Sequence, residues 1–412
     1  MSGARMVVAM PAFQRLLLAR TISSIGNGMA PIALAFGVLA LPGATPTSLS
    51  IVLAAQAIPI ILLLPFGGVI ADRVGSARMI WSTDVILSAF VMTTAVLFMT
   101  GQATVPILAT IGVISGVLNA LWFPAYAGLV PDTVKDEDRL QPANALIGVG
   151  TNAGYIVGTA IAGILVAAWG AGQAIAVDAL TFLTAGVLVF TIRSTAMKRD
   201  SGESMLGDLV HGWKVFISYR WVVIVVGAWS FIVMAWRGGE EVMGPALALE
   251  RYDGPRGWSI VMAAQAAGLL IGALVATRVR WRRPLFAVSL ASIALPVWFL
   301  SLGMAWPLVV VVPLSFLWGL AFEQMNVVWM TAMQANIPRE SLSRVSSYDM
   351  AGSLMFGPIG LALAGPIVVW IGLREGLLLA ALIALLGVLA PLLSRSVREL
   401  SSASTTPEAP LG

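Results

Sequence analysis

Apolar residues run through this chain in long blocks, and the polar positions gather between the blocks instead of alternating within them. Twelve blocks stand out, at 13–41, 47–71, 77–101, 104–131, 138–169, 171–193, 219–250, 256–279, 283–303, 306–336, 341–371 and 373–395. About 20 mainly apolar residues cross a bilayer as a helix, so each block is predicted to be a membrane-spanning helix. Breaks at Pro42-Gly43, Gly101-Gln102, Gly170-Ala171-Gly172 and Gly303 carry the turn chemistry expected between them.

Spans two and three are joined by Gly67-Gly68-Val69-Ile70-Ala71-Asp72-Arg73-Val74-Gly75-Ser76-Ala77-Arg78, a short charged hairpin. A related stretch from Gly272 to Arg283 returns after spans seven and eight, with Thr277 in place of the acid and Arg278 set 205 residues beyond Arg73. The same displacement pairs Asn119 with Gln324, Arg139 with Arg344 and Asn144 with Asp349. Ala54-Ala55-Gln56-Ala57 recurs as Ala263-Ala264-Gln265-Ala266, and Met29-Ala30-Pro31 as Met243-Gly244-Pro245, which sets Asn27 opposite Glu241. The chain therefore reads as all-α: an N-terminal six-helix half (1–195), an amphipathic linker (196–218), a C-terminal half (219–396) and a disordered tail (397–412).

The hairpin pattern G-x-x-x-D-R-x-G-x-x-R, its position and the parallel repeat resemble the major facilitator superfamily. Phe123-Pro124-Ala125-Tyr126-Ala127-Gly128-Leu129-Val130-Pro131-Asp132, Arg139-Leu140-Gln141-Pro142-Ala143-Asn144-Ala145-Leu146 and Val177-Asp178-Ala179-Leu180-Thr181-Phe182-Leu183 are similar to its macrolide efflux and enterobactin exporter branch. The resemblance implies alternating access between two pseudo-symmetric halves, with cargo at their interface. It also implies a conformational latch at Gly68, Asp72, Arg73, Gly75 and Arg78; the competing reading of that loop is a plain stop-transfer turn. Two family features are missing. Gly112 stands where span four often carries an arginine, and the drug-antiporter pattern G-P-x-x-G-G survives in span five only as Gly158-Thr159-Ala160-Ile161-Ala162-Gly163.

Composition agrees with a membrane setting: the 412 residues are 58% hydrophobic and 11% charged, with a mean hydropathy of +0.91, whereas soluble domains carry about 25% charge. The net charge of +4 does not point to nucleic acid, because its arginines occupy short loops between apolar blocks. With both termini cytoplasmic, 19 of the 24 lysines and arginines fall inside and only Arg251, Arg256 and Arg374 outside. That asymmetry predicts a multi-pass protein of a prokaryotic plasma (inner) membrane. No cysteine is present and no P-loop pattern occurs, so thiol chemistry and ATP binding in the P-loop manner are excluded. No enzyme, cofactor or metal reading arises. The expected partners are lipid, a small-molecule cargo and protons, and the chain is read as a monomer.

Six acids fall within spans: Asp84, Asp178, Glu240, Glu241, Glu323 and Asp349. A charge at the bilayer centre costs about 2.5–3.5 kcal/mol on insertion scales, so each needs a partner, water or a function. Arg237, three and four residues before Glu240 and Glu241, predicts an ion pair within the helix. Asp84 and Asp349 lie near span ends, and Asp178 reads as a structural hydrogen bond. Glu323 has no cation within a turn. It is therefore the candidate for carrying the coupled proton, against the alternative of a glutamic acid bonded across helices. By the resemblance, spans one, four, seven and ten line the cavity, which nominates Asn27, Asn119, Trp122, Trp236, Arg237, Glu240, Glu241, Trp318, Gln324 and Asn326 as its walls. Aromatic and methionine side chains there suit bulky amphiphiles. Small residues at Gly150, Gly154, Gly158 and Ala162, and at Ala264, Gly268, Gly272 and Ala276, let helices approach closely, as a hinge seam between halves or as ordinary packing. His211, the single histidine, lies on the linker. An ion-driven exporter of amphipathic compounds is the favoured reading, with an importer of a polar metabolite and a non-transporting receptor or scaffold as alternatives.

Overall fold

The computed structural model describes residues 10–134, 136–192, 213–276, 278–279, 283–398 and 400. Twelve of its helices are long and apolar enough to span a membrane. They are α1 (Pro11–Leu39), α2 (Pro46–Val74), α3 (Ser76–Met99), α4 (Val105–Thr133), α5 (Glu137–Trp169), α6 (Ala171–Phe190), α7 (Arg220–Arg251), α8 (Pro255–Ala276), α9 (Pro284–Gly303), α10 (Leu308–Asn336), α11 (Arg339–Met355, then Gly357–Ile371) and α12 (Leu373–Leu393). The apolar blocks thus locate every span, with ends shifted by a few residues. Most of the linker lies outside the described residues, as does the tail from 401; of the linker, 213–218 is helical.

Local chemistry explains where helices start, stop and bend. Gly75, Gly170 and Gly372 each hold a positive φ immediately before a helix, allowing a reversal within one residue. α11 is interrupted at Phe356 because Pro358 has no N–H to give to the preceding turn. In α7, Gly239–Met243 forms a π turn in which the Gly244 N–H reaches back five residues to the Gly239 oxygen. Pro245 follows directly; in a regular helix its ring would crowd the carbonyl four residues earlier, and the wider turn relieves this.

Packing is pseudo-symmetric and built on glycine. A β-carbon at Gly158 of α5 would strike the Ile25 oxygen of α1, and one at Gly360 of α11 would strike the Met234 oxygen of α7. Likewise Gly116 of α4 abuts the Gln56 oxygen of α2, and Gly319 of α10 abuts the Gln265 oxygen of α8. The same contacts in both halves fix the repeat register more firmly than sequence echoes do. Gly116 and Gly319 stand 203 residues apart, so Asn119 matches Phe322 and not Gln324. Ile25 and Met234 stand 209 apart, so Asn27 matches Trp236 and not Glu241.

The small-residue stripes divide between two jobs. Gly150, Gly154 and Gly158 pack on α1, and Gly268 and Gly272 on α10, so both stripes hold a single half together. The seam between halves is made by neighbouring residues. Gly163 of α5 meets Ser259 and Pro255 of α8, and Gly365 of α11 meets Pro46 and Thr47 of α2. The Gly365 N–H also donates to Ser50 Oγ at 2.8 Å. Ser50 and Ser259 occupy equivalent places in the repeated Ser-Ile-Val-x-Ala-Ala-Gln-Ala segment. Both contacts lie at the end of the bundle where α2 and α8 begin.

Candidate functional site

Next to this seam, α1, α2, α3, α4 and α6 enclose a cavity of ≈ 310 Å³, closed on one side by α7 and by Leu361 of α11. That volume is at the small end for sites that hold drug-sized ligands. Its wall is mostly aliphatic, with Phe123 and Phe182 among the aromatics. Neutral polar groups are few: Asn27, Gln56, Thr94, Ser115 and Asn119. Asn119 is held in place by donating from Nδ2 to the Ser115 oxygen at 2.8 Å.

Three charged residues reach the cavity: Asp178, Arg237 and Glu241. Arg237 donates to Glu241 one turn on, an ion pair set by four-residue spacing on α7. Glu240, next along the π turn, points the other way. Its Oε2 accepts from Trp236 Nε1 at 2.5 Å and from Gln265 Nε2 of α8 at 2.9 Å. The π turn therefore splits two adjacent acids between the cavity and the α7–α8 contact. Tyr155 of α5 lies within electrostatic reach of Arg237, Glu240 and Glu241, so this cluster draws on both halves.

Of the ten residues nominated for the cavity, Asn27, Asn119, Arg237 and Glu241 line it. The others are engaged elsewhere. Trp318 is fully buried against Trp236 and Phe322. Gln324 is buried and donates to the Gly272 oxygen at 2.5 Å, joining α10 to α8. Trp236 and Glu240 bond to each other. Asn326 bonds to Glu323, and Glu323 itself is half-buried, packed against Gly272 of α8 and off the cavity wall. Trp122 belongs to a separate pocket: it stacks on Tyr126 at 5.2 Å, and the Arg20 guanidinium lies 4.7 Å and 4.2 Å from the two ring centres. Asp84 is buried in that pocket, not at the membrane face. Asp349 accepts from Trp329 at 2.9 Å.

In the hairpin, Gly75 begins α3, and Arg73 and Arg78 are exposed; the surroundings of Gly68 and the side chain of Asp72 lie outside the described set. Sequence reasoning passed over Gln56, Gln265 and the cavity position of Asp178. The repeated Ala-Ala-Gln-Ala segment was a usable signal for the two glutamines, because an amide recurring in an apolar span needs a partner.

The Major Facilitator Superfamily profile matches residues 16–348. The chain is 26% identical to the multidrug efflux pump Tap of Mycolicibacterium fortuitum over 94% of its own length and 97% of that protein. It is also 26% identical to the staphyloferrin A transporter of Staphylococcus aureus, over 56% of this chain and 58% of that one. Among solved structures, the nucleoside transporter NupG superposes with a TM-score of 0.72 at 14% identity, covering 92% of this chain and 98% of that one. A bacterial homolog of the human lysosomal transporter Spinster, in an inward-facing and unoccupied conformation, gives 0.67 at 12% identity, over 98% and 100% of the two chains.

Proposed function

Because this chain belongs to the Major Facilitator Superfamily of membrane transporters, we propose that it is an ion-driven exporter of amphipathic small molecules working by alternating access. One observation carries the reading: the cavity wall is apolar apart from a few neutral polar groups, one ion pair and one carboxyl. Carriers of sugars or organic anions need many hydrogen-bonding or basic groups around the cargo. A wall of aliphatic and aromatic side chains suits a compound that partitions into lipid. The likeness to an efflux pump along nearly the full length supports the same direction.

The arginine and lysine bias puts both termini in the cytoplasm. In that orientation the seam at Gly163 and Gly365 closes the outer end, which supports reading this arrangement as inward-facing. Gly68, Asp72, Arg73, Gly75 and Arg78 then form the latch that closes the opposite end in the alternate state.

Export without nucleotide draws on an ion gradient, and Glu323 is the proposed proton carrier. It bonds to the neutral amide of Asn326 and packs against Gly272 of α8, with no cation beside it among the described residues. In proteoliposomes, Glu323→Gln is expected to abolish accumulation driven by a pH jump and to keep cargo binding and cargo–cargo exchange. Concentrative uptake by Glu323→Gln vesicles under that pH jump would overturn the assignment. Loss of exchange as well would show that Glu323 supports the fold instead.

A further inference from the structure

The charges in the cavity do not balance. Arg237 and Glu241 satisfy one another, which leaves Asp178 of α6 as the cavity's one carboxyl with no cation beside it among the described residues. Asp178 is 2% exposed and lines the cavity; the neutral Thr181 hydroxyl lies beside its carboxyl, and Oδ1 has no partner at hydrogen-bond distance. The site is built around it. Gly26 of α1 lies directly against Asp178 Oδ1 and Thr181 Oγ1, and any β-carbon there would displace both. Thr181 gives its hydroxyl proton to the Asp178 backbone oxygen at 2.7 Å, which ties down the helix beneath the carboxyl. On α3, Ser88 bonds to the Ala179 oxygen at 2.8 Å and fixes α6 from the other side.

The titratable groups around Asp178 are accounted for. Asp84 on α3 and Arg20 on α1 share the separate pocket toward the start of α1. Tyr155 on α5 faces the α7 cluster, and Arg237 with Glu241 closes the far wall. A carboxyl held in an apolar cavity with a neutral hydroxyl beside it and no cation is costly to ionise unless something brings it a counter-charge.

We propose that Asp178 is the group by which the cavity recognises a cationic centre, a protonated amine or quaternary nitrogen, on an otherwise apolar cargo. The surrounding aliphatic and phenyl side chains take the cargo's apolar frame, and Asn27, Gln56 and Asn119 supply neutral hydrogen bonds around it. This rests on reading the cavity as the cargo site, and it names the cargo class that the exporter reading leaves open.

The test compares two probes of the same frame on the full chain in detergent: the cation 4-(4-dimethylaminostyryl)-N-methylpyridinium and uncharged 4-dimethylaminostilbene. The native chain is expected to prefer the cation by at least about tenfold, the lower end of what a close charge pair contributes in a desolvated site. Asp178→Asn should lose that preference and still bind the neutral probe, and Asp178→Glu should keep it. No preference in the native chain, or one that survives in Asp178→Asn, overturns the proposal and leaves Asp178 as a packing residue.

A second measurement covers variants that fail to fold. The chain has no cysteine, so Ser115→Cys places a single thiol on the cavity wall. Its reaction with trimethylammonioethyl methanethiosulfonate should exceed that with the sulfonatoethyl reagent beyond the ratio for a free thiol. A ratio equal to the free thiol's overturns the proposal. Both measurements are made without a gradient, so they separate from the exporter reading. Vesicles that export a compound while Asp178→Asn keeps the cation preference sink only the recognition; a cation-selective cavity in a chain that exports nothing sinks only the direction.

Discussion

At the scale of single residues, the ion pair of α7 is the clearest case of chemistry that spacing predicts. Arg237 and Glu241 stand four residues apart and meet on one face of the helix. Arg237→Met would strand Glu241 on the cavity wall, and stability of the purified chain is expected to fall by about 1–3 kcal/mol. Arg237→Met with Glu241→Met should recover most of that loss, because removing both partners leaves no orphaned charge. Melting temperatures of the two variants check this; a double variant no more stable than the single would show that the residues do not act as a unit. The pairing of Glu240 with Gln265 was not legible in the same way. Its partner Gln265 lies on the next helix, and the direction of Glu240 depends on a π turn that no local pattern announces. The cavity position of Asp178 was not legible for a related reason. Its place on the cavity wall is decided by Gly26 on another helix, 152 positions away in the sequence.

Among helices, hydrophobic block length was enough to place all twelve spans, since lipid demands a closed, apolar helix wherever the chain crosses it. Relative register was harder. Recurrent short motifs suggested it, but carbonyl-to-glycine contacts decide it, and these depend on backbone approach that side-chain patterns do not encode. The contacts also set what each glycine tolerates. Gly158→Ala and Gly360→Ala would each drive a methyl into a facing carbonyl oxygen, with an expected cost of about 1–3 kcal/mol from overpacking. Gly148 and Gly227 have open space where a β-carbon would go. Gly148→Ala and Gly227→Ala should be neutral or stabilising by up to about 1 kcal/mol, the helix-propensity difference between the two residues. Thermal unfolding of the four variants in one detergent separates the two classes; equal effects at all four sites would remove the packing argument.

For the whole molecule, membrane orientation and the latch can be read in one experiment on the cysteine-free chain. Thr45→Cys and Gln102→Cys are expected to react with an impermeant maleimide added outside intact cells, and Ser76→Cys and Ser396→Cys only after lysis. Reversed labelling would invert the topology. Adding Asp72→Asn should leave this pattern unchanged and slow transport by at least about tenfold. A lost charge-assisted hydrogen bond contributes roughly 1.5–3 kcal/mol, enough to unbalance a two-state exchange. Unchanged transport in Asp72→Asn would reduce the hairpin to a membrane anchor.

The charge inventory of the cavity also has an electrical side. With Arg237 and Glu241 cancelling, any charge on Asp178 is the net charge that the cavity carries from one face of the membrane to the other. Moving one elementary charge through 100 mV is worth about 2.3 kcal/mol. A cavity whose carboxyl is matched by a cationic guest adds no electrical work of its own. An empty one with a bare carboxylate does. Under the recognition proposed above, membrane voltage acts on the cavity's own charge in the return stroke only. The charge left on Glu323 by its departed proton is felt on the loaded stroke, so the field would weigh on each half of the cycle through a different carboxyl.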